Sequence, residues 1–307
     1  MQAPVPAPTV TTATGHPEES NVQRRSPACA GGRFATTKQF LRTALPLAAR
    51  KTLARLISRQ KWLTSRHWWA HELLSDLADA DPNEFHRFLW GHHLGYADTY
   101  EVAVRFGCDS LHPSRKLLFD DLQECLDRLG VRADSISSVF EVGCSLGYNL
   151  RYLETDLFST ASTLRGCDID TYAVEQGSGY LSAAGSRVSL FTADMAELSD
   201  HLRENRYDVM LCAGVLMYLA ERDAEEVVAS ILRHVGVVAV FAGLADRDQD
   251  NARLEYSGVR ERDQTFIHNV DAMVTRAGGR VVQRRWEGNR SVGGNTVYFV
   301  FAVPRGA

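Results

Sequence analysis

The rhythm of apolar positions changes near residue 137 of this 307-residue chain. Residues 1–35 hold many Pro, Ala, Thr and Gly but few large apolar side chains. Such a stretch buries too little surface to offset its ordering entropy, which predicts a disordered tail. From 36 to 63, Leu45, Ala49, Leu53, Leu56 and Ile57 recur at helical spacing. Lys51, Arg55 and Arg59 form an i, i+4 row on another face, and Pro46 starts or kinks the helix. Helical segments continue through 133 and include the aromatic, histidine-rich run EFHRFLWGHHLGYADTYEVAVRF. Residues 36–133 therefore read as a helical N-terminal extension.

Beyond it, short apolar runs alternate with amphipathic stretches. SVFEV (138–142), TLRGCDI (163–169), RVSLFTAD (187–194), DVMLCAGV (208–215) and GVVAVFAGL (236–244) read as strands with helices between them. Near-continuous apolar runs suit parallel strands covered on both faces. The alternation predicts a doubly wound, Rossmann-like α/β domain over 134–307. RVVQRRW (280–286) and TVYFVFAV (296–303) are separated by too few residues for a crossover helix. They predict an antiparallel hairpin closing a mostly parallel sheet.

Charge modifies this picture. The net charge is −4, but residues 1–70 carry eleven Lys/Arg against two acids, so the remainder is at −13. The basic helix has two readings: a contact with an anionic membrane or nucleic acid, or packing on the body with its basic face in water. No apolar run is long enough to span a membrane, and the N-terminus lacks the pattern of a signal peptide. Six cysteines occur without a CxxC pair, and Cys144, Cys167 and Cys212 lie in apolar surroundings. They read as buried thiols in a reducing compartment, which predicts a cytoplasmic protein. His67 and His71 have helical i, i+4 spacing, but the adjacent Trp68 and Trp69 point to packing, and no metal site is expected.

The chemistry-bearing positions fall at strand ends. In FEVGCSLGYNL (140–150), Gly143 and Gly147 bracket Cys144, Ser145 and Leu146. A dinucleotide turn would read GxGxxG; here the spacing is GxxxG, with Glu141 ahead of it. A carboxylate there repels a pyrophosphate and favours a ligand carrying an ammonium group. Asp168 ends the second strand, where a carboxylate accepts from ribose hydroxyls. Asp194 and Met195 follow the third, suited to an adenine amino group and ring. AGVLMYL (213–219) follows the fourth, on the floor where chemistry would occur.

With FEVGCSLG, GCDID, TADM and YDVMLCAGVLMYL in order, residues from about 137 to 303 resemble the class I S-adenosylmethionine-dependent methyltransferases. The resemblance implies S-adenosylmethionine as cofactor. It assigns cofactor contacts to Glu141, Gly143, Cys144, Ser145, Gly147, Asp168, Ile169, Asp194, Met195 and Ala213. Ser145 departs from the glycine that many members carry, and Asn149 is expected to reach the cofactor carboxylate. The extension is expected to fold over the cofactor as a lid. His92, His93 and His268 are the candidate general bases. Trp90, Tyr96, Tyr100, Met217, Tyr218, Asn269, Arg285 and Trp286 are candidate acceptor contacts. The expected reaction is methyl transfer to oxygen or nitrogen of a small molecule, such as a sugar or natural-product intermediate. The competing readings are an RNA or protein methyltransferase and a non-catalytic protein held to a membrane or partner by residues 36–63. An acidic body without a recognised RNA-binding module makes nucleic acid the weaker partner.

Overall fold

The computed structural model describes residues 44–60, 66–95 and 111–305, less 204, 262 and 293. Among the described residues the N-terminal part carries α1 (Leu47–Ser58), α2 (Arg66–Leu73), α3 (Ser75–Ala80) and α4 (Pro82–Gly91). They share a small core in which Ala54, Leu74, Leu77, Phe85 and Leu89 are buried. Asp81 caps α4 by accepting from the Glu84 amide, and Pro82 occupies its first turn.

The basic row of α1 is engaged by protein. Lys51 pairs with Glu84, and Arg55 Nε donates to His92 Nε2 at 3.0 Å. Arg50 is buried against Asp76 and the Leu73 carbonyl. The helix packs on the other helices of the extension and not on the body, as one of its two readings expected, and Lys51 and Arg55 reach Glu84 and His92 at α4.

Strands β1 (Ser138–Val142), β2 (Thr163–Asp168), β3 (Ser189–Thr192), β4 (Tyr207–Ala213) and β5 (Val235–Gly243) run parallel. The short strands β6 (Gly258–Arg260) and β7 (Thr265–Ile267) pair as a separate ribbon that the sequence did not predict. β8 (Arg280–Val292) and β9 (Asn295–Val303) form the expected antiparallel hairpin, with β9 also antiparallel to β5. The sheet order is β3-β2-β1-β4-β5-β9-β8. It reverses direction of growth between β1 and β4, the place where α/β sheets bind ligands.

Side chains alternate across the sheet. Phe140, Val142, Met210, Cys212 and Phe241 face a core completed by α8 (Leu198–Leu202), α9 (Glu221–His234) and α10 (Val270–Arg276). Val139, Val209, Leu211 and Val240 face the other side, covered by Leu118, Phe119, Leu122 and Leu126 of α5 (Pro113–Arg128). Thus α5 packs with the sheet, although the sequence grouped it with the extension. This period of two also puts Glu141 on the α5 side of β1. No helix among the described residues is long and apolar enough to cross a membrane.

Candidate active site

The turn after β1 is shaped by one steric demand. Gly143 has φ 71°, and a Cβ there would stand 2.2 Å from Val215 Cγ2. Only glycine fits such a position. Ser145 also lies in the left-handed region, at φ 49°. That conformation disfavours a side chain and explains why glycine is usual there. Its amide is held by Asp168 Oδ2 at 2.7 Å. Gly147, at φ 82°, opens α6 (Tyr148–Tyr152), which continues as one π-type turn over Leu153–Leu157.

Asp168 is fixed from two sides, because Asp170 N also donates to its Oδ1 at 2.9 Å. Burial pushes its carboxyl up to about 6, against the lowering effect of those amides. A carboxylate has about four acceptor sites, so two amides leave capacity for two hydroxyls. The helix cap after β2 is Asp170, which accepts from Ala173 N at the start of α7 (Thr171–Ala183). Asp168 is therefore free of capping duty.

Glu141 is fully buried. Its Oε1 accepts from Asn149 Nδ2 at 2.6 Å, and its Oε2 has no hydrogen-bond partner. Burial pushes this carboxyl up to about 7, while Asn149 and the nearby Arg115 pull it down. Asn149 thus has one amide hydrogen committed to Glu141, a contact the sequence did not anticipate. An orphaned buried acceptor behind the loop fits a ligand bearing an ammonium group.

One cleft of about 2030 Å³ runs over these strand ends. Gly143, Cys144, Ser145, Asn149, Asp168, Ile169, Asp194, Met195 and Ala213 line it; Glu141 and Gly147 do not. Asp194 accepts from Ala196 N through Oδ1 and pairs through Oδ2 with Arg87 of α4. Helix α4 roofs this part of the cleft. Asn83 bonds Asp223 and the Ala220 amide, and Gly91 abuts Ile169. Trp90 and Tyr218 meet across the cleft with ring centroids 5.0 Å apart, and Met217 lines it as well.

The candidate bases fare differently, as none of the three lines the cleft. His92 stacks on Phe88 and bonds its carbonyl, turned toward Arg55. His93 Nδ1 is 2.8 Å from Asp170 Oδ2, which draws it toward the start of α7. His268 is buried between Ser257 Oγ and the Leu216 carbonyl. Three acceptor candidates are also structural. Asn269 caps α10 and bonds the Ala252 and Leu254 carbonyls. Arg285 makes a two-pronged ion pair with Asp121, and Trp286 packs against the core. Tyr96 and Tyr100 lie outside the described residues, as does the tail at 1–35.

The sequence reading missed His86, Arg87 and Arg115, all cleft-lining. His86 Nε2 is 2.9 Å from the Gln264 carbonyl, which can only accept, so this nitrogen donates and Nδ1 is the acceptor. Burial lowers its pKa and favours the neutral ring. Its position four residues before Trp90 on α4 was a usable signal. Arg115 carried none, because its neighbours come from distant strands.

Residues 139–236 match the family model described as a methyltransferase domain. No curated protein matches the chain. Magnesium protoporphyrin IX methyltransferase (ChlM) from Synechocystis PCC 6803 with bound SAM is similar in structure at TM-score 0.50 and 14% identity. That match covers 73% of this chain and 97% of that one. The [4+2]-cyclase SpnF also matches at TM-score 0.50 and 14% identity, covering 62% of this chain and 81% of that one. These two likenesses describe the fold, which does not by itself fix a reaction. The family match falls on the strands that build the cleft: residues 139–236 carry a methyltransferase domain, with S-adenosylmethionine as its cofactor.

Proposed function

We propose that this enzyme transfers the methyl group to an oxygen or nitrogen of a small-molecule acceptor, such as a sugar or natural-product intermediate, in the cytoplasm. The supporting observation is the roof: α4 brings Trp90 and His86 against Tyr218 and narrows the sheet-end cleft into a lidded site. A lidded, partly aromatic site suits a small molecule better than a polymer.

The cofactor, when bound, supplies an electrophilic methyl group. The chain's own residues bind and orient. Asp168 is poised to accept from ribose hydroxyls, Asp194 and Met195 to meet the adenine, and the turn at Gly143 to let the methionyl end approach the backbone. Glu141 favours the ammonium end through its field. We assign the lid role to the extension at 36–133 and the catalytic role to 134–307, with α5 contributing to both. Alignment and exclusion of water are the main protein contributions, for which effective-molarity gains of about 7–11 kcal/mol are the upper range. A hydroxyl acceptor also needs a base; neutral His86 is the described histidine placed beside Tyr218.

The test is a screen of small-molecule acceptors that reads release of S-adenosylhomocysteine, run beside Trp90→Ala. Turnover with a small acceptor and a raised KM for that acceptor in the variant supports the reading. Turnover only on RNA or protein overturns it.

A further inference from the structure

Five arginines line the cleft: Arg87, Arg115, Arg151, Arg233 and Arg260. Three have carboxylate partners: Arg87 with Asp194, Arg151 with Glu154 and Arg260 with Asp263. Arg233 stands exposed on α9 and donates to Ser199 Oγ. Arg115 differs from all four. It is part-buried, and its hydrogen bond runs from Nη2 to the Ala213 carbonyl at 2.8 Å. Among the described residues, no carboxylate lies within ion-pair distance of it. Glu141 is its nearest electrostatic counterweight, but Asn149 holds one of that carboxylate's oxygens and the other makes no hydrogen bond.

The seat of Arg115 is built. Gly214, at φ 76°, leaves bare backbone beside the guanidinium, and a Cβ there would stand 2.9 Å from Nη2. Arg115 sits in the first turn of the 16-residue α5, whose N-terminal residues His112, Pro113 and Ser114 share the cleft. The helix dipole adds positive potential at that point. A cation taken from water without an ion-pair partner is costly. A planar fork of N–H donors is the shape that binds a carboxylate with two parallel bonds.

We propose that Arg115 is a carboxylate anchor at the end of β4, for an anion carried either by the methionyl end of the cofactor or by the acceptor. This rests on the cleft being the cofactor and acceptor site proposed above. If the cofactor carries the anion, Arg115 takes the role first expected of Asn149. If the acceptor carries it, the substrate class narrows to carboxylic acids.

The experiment uses the full chain and three probes: S-adenosylhomocysteine, 5′-methylthioadenosine and benzoate. Methylthioadenosine keeps the adenosine thioether and lacks the amino-acid end. Calorimetry compares the wild type, Arg115→Met and Arg115→Lys. A cofactor anchor predicts at least a tenfold loss of S-adenosylhomocysteine affinity in Arg115→Met, unchanged methylthioadenosine affinity, and partial recovery in Arg115→Lys. An acceptor anchor predicts unchanged affinity for both nucleosides. It also predicts a benzoate saturation-transfer NMR signal, on protein loaded with S-adenosylhomocysteine, that Arg115→Met abolishes. Unchanged nucleoside affinities together with a benzoate signal that is absent or insensitive to Arg115 overturn the proposal. Methylthioadenosine binding doubles as the folding control; if Arg115→Met fails it, Arg115→Gln and Arg115→Lys carry the comparison. A wild type that binds neither nucleoside overturns the reading of the cleft itself, while the benzoate arm, then run on the unloaded protein, still decides on Arg115.

Discussion

Arg87 of the extension closes on Asp194 of the catalytic domain, with Nη2 2.6 Å from Oδ2. The acid suited to the adenine amino group is thus shared with the roof. The Arg87 side chain is 59% exposed, so the pair itself contributes less than about 1 kcal/mol to stability. Its larger effect is expected on cofactor binding. Asp194→Ala is expected to weaken S-adenosylhomocysteine binding about tenfold, the scale of one charge-assisted hydrogen bond. Arg87→Ala is expected to leave stability nearly unchanged and to speed dissociation, because one tie of the roof is lost. Stopped-flow dissociation rates check this, and an unchanged rate in Arg87→Ala discards the roof as a gate.

Asp168 gives a pH dependence. Its carboxyl, raised to about 6 by burial, must be ionised to accept best from two hydroxyls. Affinity of the wild type for S-adenosylhomocysteine is expected to fall as pH drops through about 6. Asp168→Asn is expected to bind at least tenfold more weakly and to lose that step. Calorimetry across pH 5 to 8 reads both, and a step that persists in Asp168→Asn would have another origin.

Glu141 acts on stability with the opposite sign. Its folded value of about 7 lies above the ordinary 4.5, so the native state binds the proton more tightly than the unfolded chain does. Stability therefore falls as pH rises from about 4.5 to 7, by up to about 3 kcal/mol from this group alone. Glu141→Gln keeps a polar partner for Asn149 without the buried charge. It is expected to flatten that slope and to raise the unfolding midpoint of the unliganded protein at pH 8. Denaturant unfolding at several pH values tests this; parallel pH curves for the two proteins would refute it.

Backbone conformation separates the two turn positions. Gly143→Ala is expected to cost several kcal/mol, since its Cβ would overlap Val215 and both chains are held in the sheet-end core. At Ser145 the αL strain relieved by glycine is offset by the added freedom of the unfolded chain. Ser145→Gly should thus lie within about 1 kcal/mol of wild type, while the β-branched Ser145→Val is disfavoured at φ 49° and should lose more. Thermal unfolding ranks the three variants, and a Ser145→Val as stable as Ser145→Gly would contradict the strain account.

His268 should behave as a structural residue. It donates to the Leu216 carbonyl and meets Ser257 Oγ while buried. Replacing it with alanine leaves those groups unsatisfied and should cost about 1–3 kcal/mol. The folded fraction should keep the wild-type kcat and pH profile once an acceptor is in hand. A loss of kcat in a protein of unchanged stability would restore it as a base candidate.

The sequence by itself determined the five parallel strands and the antiparallel hairpin that closes the sheet. Those follow from local facts: apolar runs too continuous for a one-sided strand, a connection too short for a crossover helix, and a GxxxG turn closing the first run. Nine of the eleven positions expected to meet the cofactor came to line the cleft, because a residue just past a parallel strand is carried to the ligand edge wherever the helices pack. What only the tertiary structure decided was the use of long polar side chains. His86 and Trp90 share the cleft face of α4, while His92, just past its end, turns back to Arg55. Arg285 looked free until Asp121, 164 residues earlier, met it. Arg115 came to Ala213 across 98 residues of chain. Strand placement is set by periodicity within a few residues. The partner of a long charged side chain is set by whichever distant element lies within its reach, and the pattern along the chain does not encode that distance.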